Sequence, residues 1–421
     1  MTGAEWTAYE KALRTGQFSK LARLRFLNPD GTTAFSVDND PLNPKSGAFI
    51  RSGNVTVNLQ NGVRRTADVL LANVDGTFDY NVQKVWFGSE IAVDMGAKLT
   101  DGTELYFPQG VYRVTGPGET VKPNERTAHF TLTDKWAGLD GTMGGTLESS
   151  YIVNAGTNIF QPIAALLKTD RGDGQPYDRE TPVFTDYYIG KTQVLPDGTE
   201  AAITDTPYTL TVDSEEGSVA DVVLGLAEML VAWVGYDQTG RLRIDPSQND
   251  ILDTDKPVVW RFSLGEAQIL GLAYDVKLQD VKNDYIACGM MGDDFAQPAA
   301  RAQNLDPRSD TNINLIGRRT KRESKPEFAT QTICSDYAEW MVKRTTVLHR
   351  AVTVNCNQIF HLTENTLIEI VRSDLPDSPV EQHLVQGFTL PFSGTDPMSI
   401  TATSVHDFPS ITLSTWPPAE E

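Results

Sequence analysis

Cysteine is scarce in this sequence: three in 421 residues, Cys288, Cys334 and Cys356, odd in number and far apart. That is the pattern of a reducing compartment and argues against a disulfide framework. None has a Cys-x-x-Cys or His-x-x-x-His companion, which removes the usual zinc spacings, and the three read as small core residues. A Gly-x-Ser-x-Gly elbow and a phosphate-cradling P-loop are both missing, so the common nucleophile and nucleotide motifs drop out. The opening stretch MTGAEWTAYEKALRTGQ spreads Glu and Lys through its length and has no apolar centre, unlike a signal peptide. Positive charge is also in short supply, with 36 Lys and Arg against 56 Asp and Glu, a net of −20. Such a chain has no general attraction for nucleic acid or anionic lipid, which argues against a sequence-specific DNA binder. The excess is uneven: residues 1–169 carry 17 acidic and 16 basic side chains, 170–256 carry 18 and 6, and 257–421 carry 21 and 14.

What is present is a folded composition, 40% hydrophobic and 22% charged, on a chain long enough for two or three domains. A polar helix near 4–16 precedes closely spaced alternating segments. GNVTVNLQ and VRRTADVLLAN flank Asn61-Gly62, a dipeptide suited to a two-residue type I′ turn. SEIAVDMGAKL and ELYFP flank Asp101-Gly102, and GVYRVTGP and TAHFTLTDKW bring the count to at least six strands before residue 137. After GTMGGTLESS the texture changes. NIFQPIAALLKTD reads as a short helix capped by Thr157 or Asn158, and VADVVLGLAEMLVAWVG, 219–235, as a buried amphipathic helix capped by Ser218. Asp221 and Glu228 interrupt that run on one face, so it does not span a membrane. YDQTGRLRIDP reads as a hairpin about Thr-Gly. From about 265, ILGLAYDVKL and KNDYIACGMM alternate, 292–330 reads as a long polar loop, and SDYAEWMVKRTTVL as a helix. AVTVNCNQIF, NTLIEIVRS, EQHLVQGFTLPFS and MSITATSVH then form a meander. The expected organisation is mainly β with an α/β part. Residues 1–145 form a first β-barrel domain with an N-terminal helix. Residues 146–264 form an acidic mixed α/β domain, and 265–421 a second β-barrel domain with one helix.

The residues that could carry chemistry read as structure. NVDGTFDYN, 73–81, resembles a calcium loop, but placing Gly76 at the sixth position puts Leu71 first and Val82 twelfth, where oxygen ligands are needed. Asn73 and Asp75 fit a turn instead, with Gly76 taking the positive φ. His129, His349, His361, His383 and His406 mostly lie in or beside strands, where a lone histidine points outward or is satisfied locally. The carboxylate pairs Asp38/Asp40, Glu215/Glu216 and Asp293/Asp294 are what an acidic surface provides, and nothing singles out one as a glycosidase pair. RGDG at 171–174 is a three-residue match to a cell-attachment motif in a loop. RRTKRESK at 318–325 is the one dense basic run, a solvated loop or a contact for an acidic partner or a second copy. No catalytic, cofactor or metal residue is therefore expected.

Several segments taken in order carry a resemblance. RRTADVLLANVDGTFDYN, WFGSEIAVDMG, YFPQGVYRV and TAHFTLTDKWAGLD resemble the first domain of phage tail hub proteins, the baseplate hubs of long-tailed phages and related injection machines. VKNDYIACG and YAEWMVKRTTVLHRAVTVNCNQIFHLTENTLIEIV extend the resemblance to the other end, about half the chain in all. It implies two tail-tube-like barrels with an α/β part packed outside, and three copies in a ring that joins a sixfold tube to a threefold tip and lines the DNA ejection channel. The partners it implies are a distal tail protein ring, the tape-measure protein, and a tail fibre, spike or receptor-binding protein. DNA would pass through without specific binding. The implied location is the virion tail tip, after assembly in the host cytoplasm, with no enzymatic activity and any cell-wall hydrolase on another protein. The rival readings are a distal tail or receptor-binding protein of the same tip, and a β-rich cell-wall hydrolase using paired carboxylates.

Overall fold

The computed structural model describes residues 2–416 apart from 42–46, 80–84, 196–197, 248–255, 266–267, 276–277, 290–296, 326–327, 348–350, 393–395 and 406–407. In chain order, the helix α1 (Gly3–Thr15) comes first. It is followed by β1 (Ser19–Leu27), β2 (Thr33–Asp38), β3 (Ala48–Asn58), β4 (Arg65–Asn73), β5 (Glu90–Lys98), β6 (Glu104–Lys122) and β7 (Glu125–Asp134). The middle of the chain holds β8 (Tyr151–Val153), α2 (Phe160–Leu167), β9 (Val183–Phe184), β10 (Thr192–Val194), β11 (Glu200–Ala202) and β12 (Leu210–Val212). It ends with α3 (Val219–Met229), β13 (Ala232–Tyr236) and β14 (Leu242–Pro246). Then come β15 (Val258–Ser263), β16 (Ile269–Asp275), β17 (Asp284–Cys288), β18 (Ala299–Asn304), α4 (Ile313–Ile316) and β19 (Thr320–Ser324). The last elements are α5 (Gln331–Val347), β20 (Ala351–Cys356), β21 (Leu367–Val371), β22 (Val380–Pro391), β23 (Met398–Ser404) and β24 (Ile411–Thr415).

The chain is mainly β with an α/β part, as the alternating segments imply. Thirteen strands form one sheet in the order β16-β20-β23-β22-β3-β4-β7-β6-β5-β1-β2, with β21 beside β22 and β15 parallel to β21. Strands from opposite ends of the chain therefore meet between β22 and β3. The first half of β22 pairs with β21 (Val371↔Val380 to Leu367↔Leu384), and the second half pairs with β3 (Gly387↔Asn58 to Pro391↔Asn54). A bulge between Val385 and Gly387 turns the strand from one neighbour to the other. The approach to β3 needs glycine there, because a Cβ on Gly387 would lie 2.5 Å from the Val57 carbonyl oxygen. One apolar cluster runs through both parts and includes Leu24, Val93 and Leu132 with Val354, Phe388 and Ile400. α1 covers its rim with Tyr9 and Leu13, held by a Thr2–Glu5 capping box.

The middle segment builds its own core from α2, α3 and the short strands β13-β14-β9 and β12-β8. A four-stranded sheet, β19-β17-β18-β24, is covered on one face by α5, where Cys334, Ala338 and Val342 meet Tyr285, Ala287, Ala300 and Ala302. The Arg344 guanidinium lies 5.0 Å from the Trp233 ring centre and 5.1 Å from that of Trp340, joining α5 to β13.

Four expectations from the sequence change. The last four long segments are not a meander, because β20 pairs with β16 and β23 while β21 pairs with β15 and β22. The apolar run 219–235 is helical only as far as Met229; Val231 takes φ 51°, and AWVGY continues as the buried strand β13. The β-branched Val234 and the aromatics Trp233 and Tyr236 favour the pleated conformation there, although the hydrophobic periodicity also fitted a helix. Asn61-Gly62 is not a two-residue turn, since residues 59–64 separate β3 from β4 and reach the middle segment. Val234 N–H donates to Asn61 Oδ1 at 2.9 Å, and Gly62 N–H to the Val234 carbonyl at 3.0 Å. Finally, 292–330 is no long loop among its described residues, because it supplies β18, α4 and β19. Its small and charged side chains hid β18, whose inner face needs only Ala300 and Ala302, and β19, which is almost wholly exposed.

The glycine at the shared strand gives a matched test. Gly387→Ala should lower stability by about 1–3 kcal/mol in a denaturant titration. Gly271→Ala in β16, where a Cβ meets nothing within 4 Å, should stay within about 0.5 kcal/mol.

Candidate functional site

The densest concentration of buried charge lies where β4, the end of β7, the middle segment and the loop before β21 meet. In β4 the side chains alternate, so Arg65 points inward in phase with Ala67, Val69 and Leu71. It is 1% exposed. Its guanidinium pairs with Glu364 and donates to the carbonyls of Gln109 at 3.1 Å and Tyr236 at 3.4 Å. One side chain thereby ties β4 to β6, β13 and the loop before β21.

Asp134, where β7 ends, is wholly buried. Its carboxylate accepts the backbone N–H groups of Arg64 (2.8 Å), Arg65 (3.0 Å) and Trp136 (3.1 Å). Burial pushes its pKa up to about 6, against the pull of those three donors and of Arg65. The next residue, Lys135, is 2% exposed and donates to Asp178 at 2.5 Å and to the Gly240 carbonyl at 2.8 Å. Its ammonium also lies 5.1 Å from the Tyr236 ring centre. On the far side Glu90 takes Arg179 at 2.5 Å and Arg113 at 3.5 Å, which holds its carboxyl below the usual range against burial. Each of these charges has a partner on another segment, as buried charges require.

A cleft of about 320 Å³ opens beside this joint, lined among others by Arg64, Trp233, Asp237, Arg243, Lys256 and Glu364. Its carboxylates are committed. Asp237 accepts Thr239 and Arg241 backbone N–H groups, Asp245 takes Arg243 at 2.7 Å, and Glu364 holds Arg65. The arrangement fixes the relative position of the segments and offers no free acid–base pair.

The residues considered from sequence do not converge on it. Asn73 Oδ1 accepts Phe78 N–H, Asp75 accepts Thr77 N–H, Gly76 has φ 76°, and Asp79 takes Arg126 at 2.6 Å, so NVDGTFDYN is a turn as far as residue 79. Among the described residues, no group of three or more His, Cys, Asp or Glu could hold a metal ion. Asp38 accepts Asp40 N–H, and Glu215 and Glu216 are exposed ahead of α3. Asp293, Asp294, His349 and His406 lie outside the described residues. His129 is exposed on β7, and His383 is buried 3.3 Å from Glu381. His361 contacts Tyr9 Oη at 3.1 Å and packs against Trp6, Phe107 and Trp260; burial lowers its pKa to about 4. Cys288, Cys334 and Cys356 are fully buried, and burial pushes Cys334 up to about 12. In RGDG, Arg171 is paired with Asp173 at 2.8 Å, so the two charges of the motif satisfy each other. The joint itself escaped attention, although the signal was there: an arginine in the inward phase of an alternating strand, and Asp-Lys closing another. Both belong to the segments that carry the hub resemblance.

No protein-family profile matches the sequence, and no curated protein does either. Solved structures do match. The 43 kDa tail protein of prophage MuSo2 from Shewanella oneidensis aligns over 91% of this chain and 98% of its own, at 11% identity and a TM-score of 0.57. A tail protein from Neisseria meningitidis MC58 aligns over 92% and 96%, at 9% identity and the same TM-score. The chain has the fold of phage tail proteins. In this tail-protein fold the joint stands at the meeting of the main sheet and the middle segment.

Removing one partner of the buried pair should cost more than removing both. Arg65→Met should destabilise by about 3–5 kcal/mol, and a double variant with Glu364→Met should recover much of it, read from denaturant midpoints. The raised Asp134 pKa also sets a sign. Between about pH 4 and pH 6 the native carboxyl keeps a proton that the unfolded chain has lost, so its contribution is present at low pH and lost as pH rises through about 6. Relative to Asp134→Asn, the wild type should lose about 1–3 kcal/mol over that window.

Proposed function

We propose that this chain is the structural hub of a phage-like tail tip, without enzymatic activity, three copies of which close into a ring between the tail tube and the tip. In this reading residues 1–145 and 265–421 supply one barrel module each, with β15 joining the second, and 146–264 is the domain packed outside. The observation that carries it is the continuous sheet, in which two groups of strands are fused along β22 and, among the described residues, the end strands β2, β15 and β16 each have a neighbour on one side only. An open edge calls for a neighbouring strand, and a closed ring provides one to every copy. Three copies then present six modules around a channel, the arrangement needed to match a sixfold tube. The β16 edge also exposes Leu270 (61%), an apolar side chain that a neighbour would cover.

The partners that follow are a distal tail protein ring above, the end of the tape-measure protein inside, and a fibre, spike or receptor-binding protein below. DNA passes through the channel without specific binding. The location is the virion tail tip, after assembly in the host cytoplasm.

Electron microscopy and a mass determination on one sample of the purified full chain test this. A three-copy ring with an open centre is expected, and Leu270→Asp should convert it to folded monomers. A monomer that cleaves peptidoglycan would end the proposal.

A further inference from the structure

We propose that the outer edge of β19 is a docking strand for an extended acidic segment of a partner protein. The inference does not depend on whether the chain forms a ring. β19 is the end strand of the four-stranded sheet, paired in parallel with β17 from Asp284↔Thr320 to Cys288↔Ser324 without a register shift. Four of its five residues are exposed; Glu323 alone is half-buried, accepting from Tyr285 and Lys321.

The direction of its free backbone groups follows from one bond. Lys325 N–H donates to the Cys288 carbonyl at 3.1 Å, so the backbone groups of Lys321 and Glu323 also face β17. Those of Thr320, Arg322 and Ser324 therefore point away from the sheet. A segment laid along this edge would find three donors and three acceptors in regular spacing.

The side chains say which segment fits. Arg318 is 56% exposed with Asp284 at 3.6 Å, Lys321 is 46% exposed with Glu323 at 3.3 Å, and Arg322 is exposed on the other face of the strand from Lys321. Among the described residues no carboxylate pairs with Arg322, in a chain whose net charge is −20. The opposite edge of the same sheet, β24 (ITLST), carries no charge at all. Basic side chains on an edge also deter pairing, but selectively: they repel a basic strand, lose hydration without compensation beside a neutral one, and attract an acidic one. The unpaired backbone favours a polypeptide over nucleic acid, which would use the charges and leave the ladder unmade. Five residues correspond to about 16 Å of strand, enough for a heptapeptide to span.

The test uses the purified full chain and a fluorescein-labelled heptapeptide alternating glutamate and threonine, followed by anisotropy. A lysine–threonine heptapeptide and a short DNA duplex serve as competing probes. The acidic peptide should bind about tenfold or more tighter than either, and weaken at about 0.5 M salt. Arg322→Pro, which removes an outward N–H without touching the β17 ladder, should weaken it about fivefold to tenfold. Arg322→Glu, which keeps that N–H, should weaken it similarly and guards against a folding defect in the proline variant. Leu413→Pro on the opposite edge should leave binding unchanged. On binding, the amides of Thr320, Arg322 and Ser324 should gain protection from hydrogen exchange. Absence of binding, equal binding of the lysine peptide or the duplex, or indifference to both Arg322 variants would overturn the proposal. So would loss of self-association in Arg322→Pro, which would make the occupant a second copy.

Discussion

The guanidinium of Arg65 holds together segments that are hundreds of residues apart in sequence: β4, β6, β13 and the loop carrying Glu364. A charge this deeply buried is tolerated only when its donors are matched, so the surrounding backbone has little freedom to shift. Asp134 applies the same constraint from the other side, because its carboxylate fixes the backbone at Arg64 and Arg65 as well as the start of the turn at Trp136. Lys135 extends it into the middle segment through Asp178 and Gly240. The arrangement resembles a mortise: polar, specific in direction, and built from charges that pair across segments.

The second constraint is the sharing of β22. By giving its first half to β21 and its second half to β3, the strand makes one core out of two groups of strands, and the Gly387 approach fixes the angle between them. The cost is a branched sheet whose three end strands, β2, β15 and β16, have an unpaired outer side among the described residues. The edges are treated differently in different places. β16 exposes leucine, β19 exposes lysine and arginine, and β24 exposes small polar and apolar residues. An edge is defined by what it will not accept as much as by what it will, and these three would select different neighbours.

Much of the architecture could be read from period and turn chemistry alone. The alternation in RTADVLLAN, the strand EIAVDMGAK, the Asp-Gly turn at 101–102, the Ser218 cap and the Thr-Gly hairpin at 239–240 all lie where local rules place them. NVDGTFDYN read correctly as a turn through residue 79 because calcium needs ligands at fixed positions and this sequence lacks two of them. The failures were of one kind. AWVGY looked like the last turns of a helix, and AARAQN and TKRES looked like loop, because burial of the first two by other segments and the pairing of the third with β17 were not visible in the local pattern. Asn61-Gly62 looked like a tight turn, but its hydrogen bonds go to Val234.

What the sequence determined by itself was the class of structure: mainly strands, a mixed middle, no spacing for metal or nucleophile, and an ordered set of segments resembling tail hubs. These depend on short-range periodicity and on residue types at fixed offsets, which a linear chain carries explicitly. Only the tertiary structure decided that Arg65 meets Glu364, that β22 joins both groups of strands, and that the basic run at 318–325 lies on an open edge. Partners separated by so many residues are chosen by which complete set of contacts leaves no buried charge or backbone group unmatched, and that is a property of the folded whole.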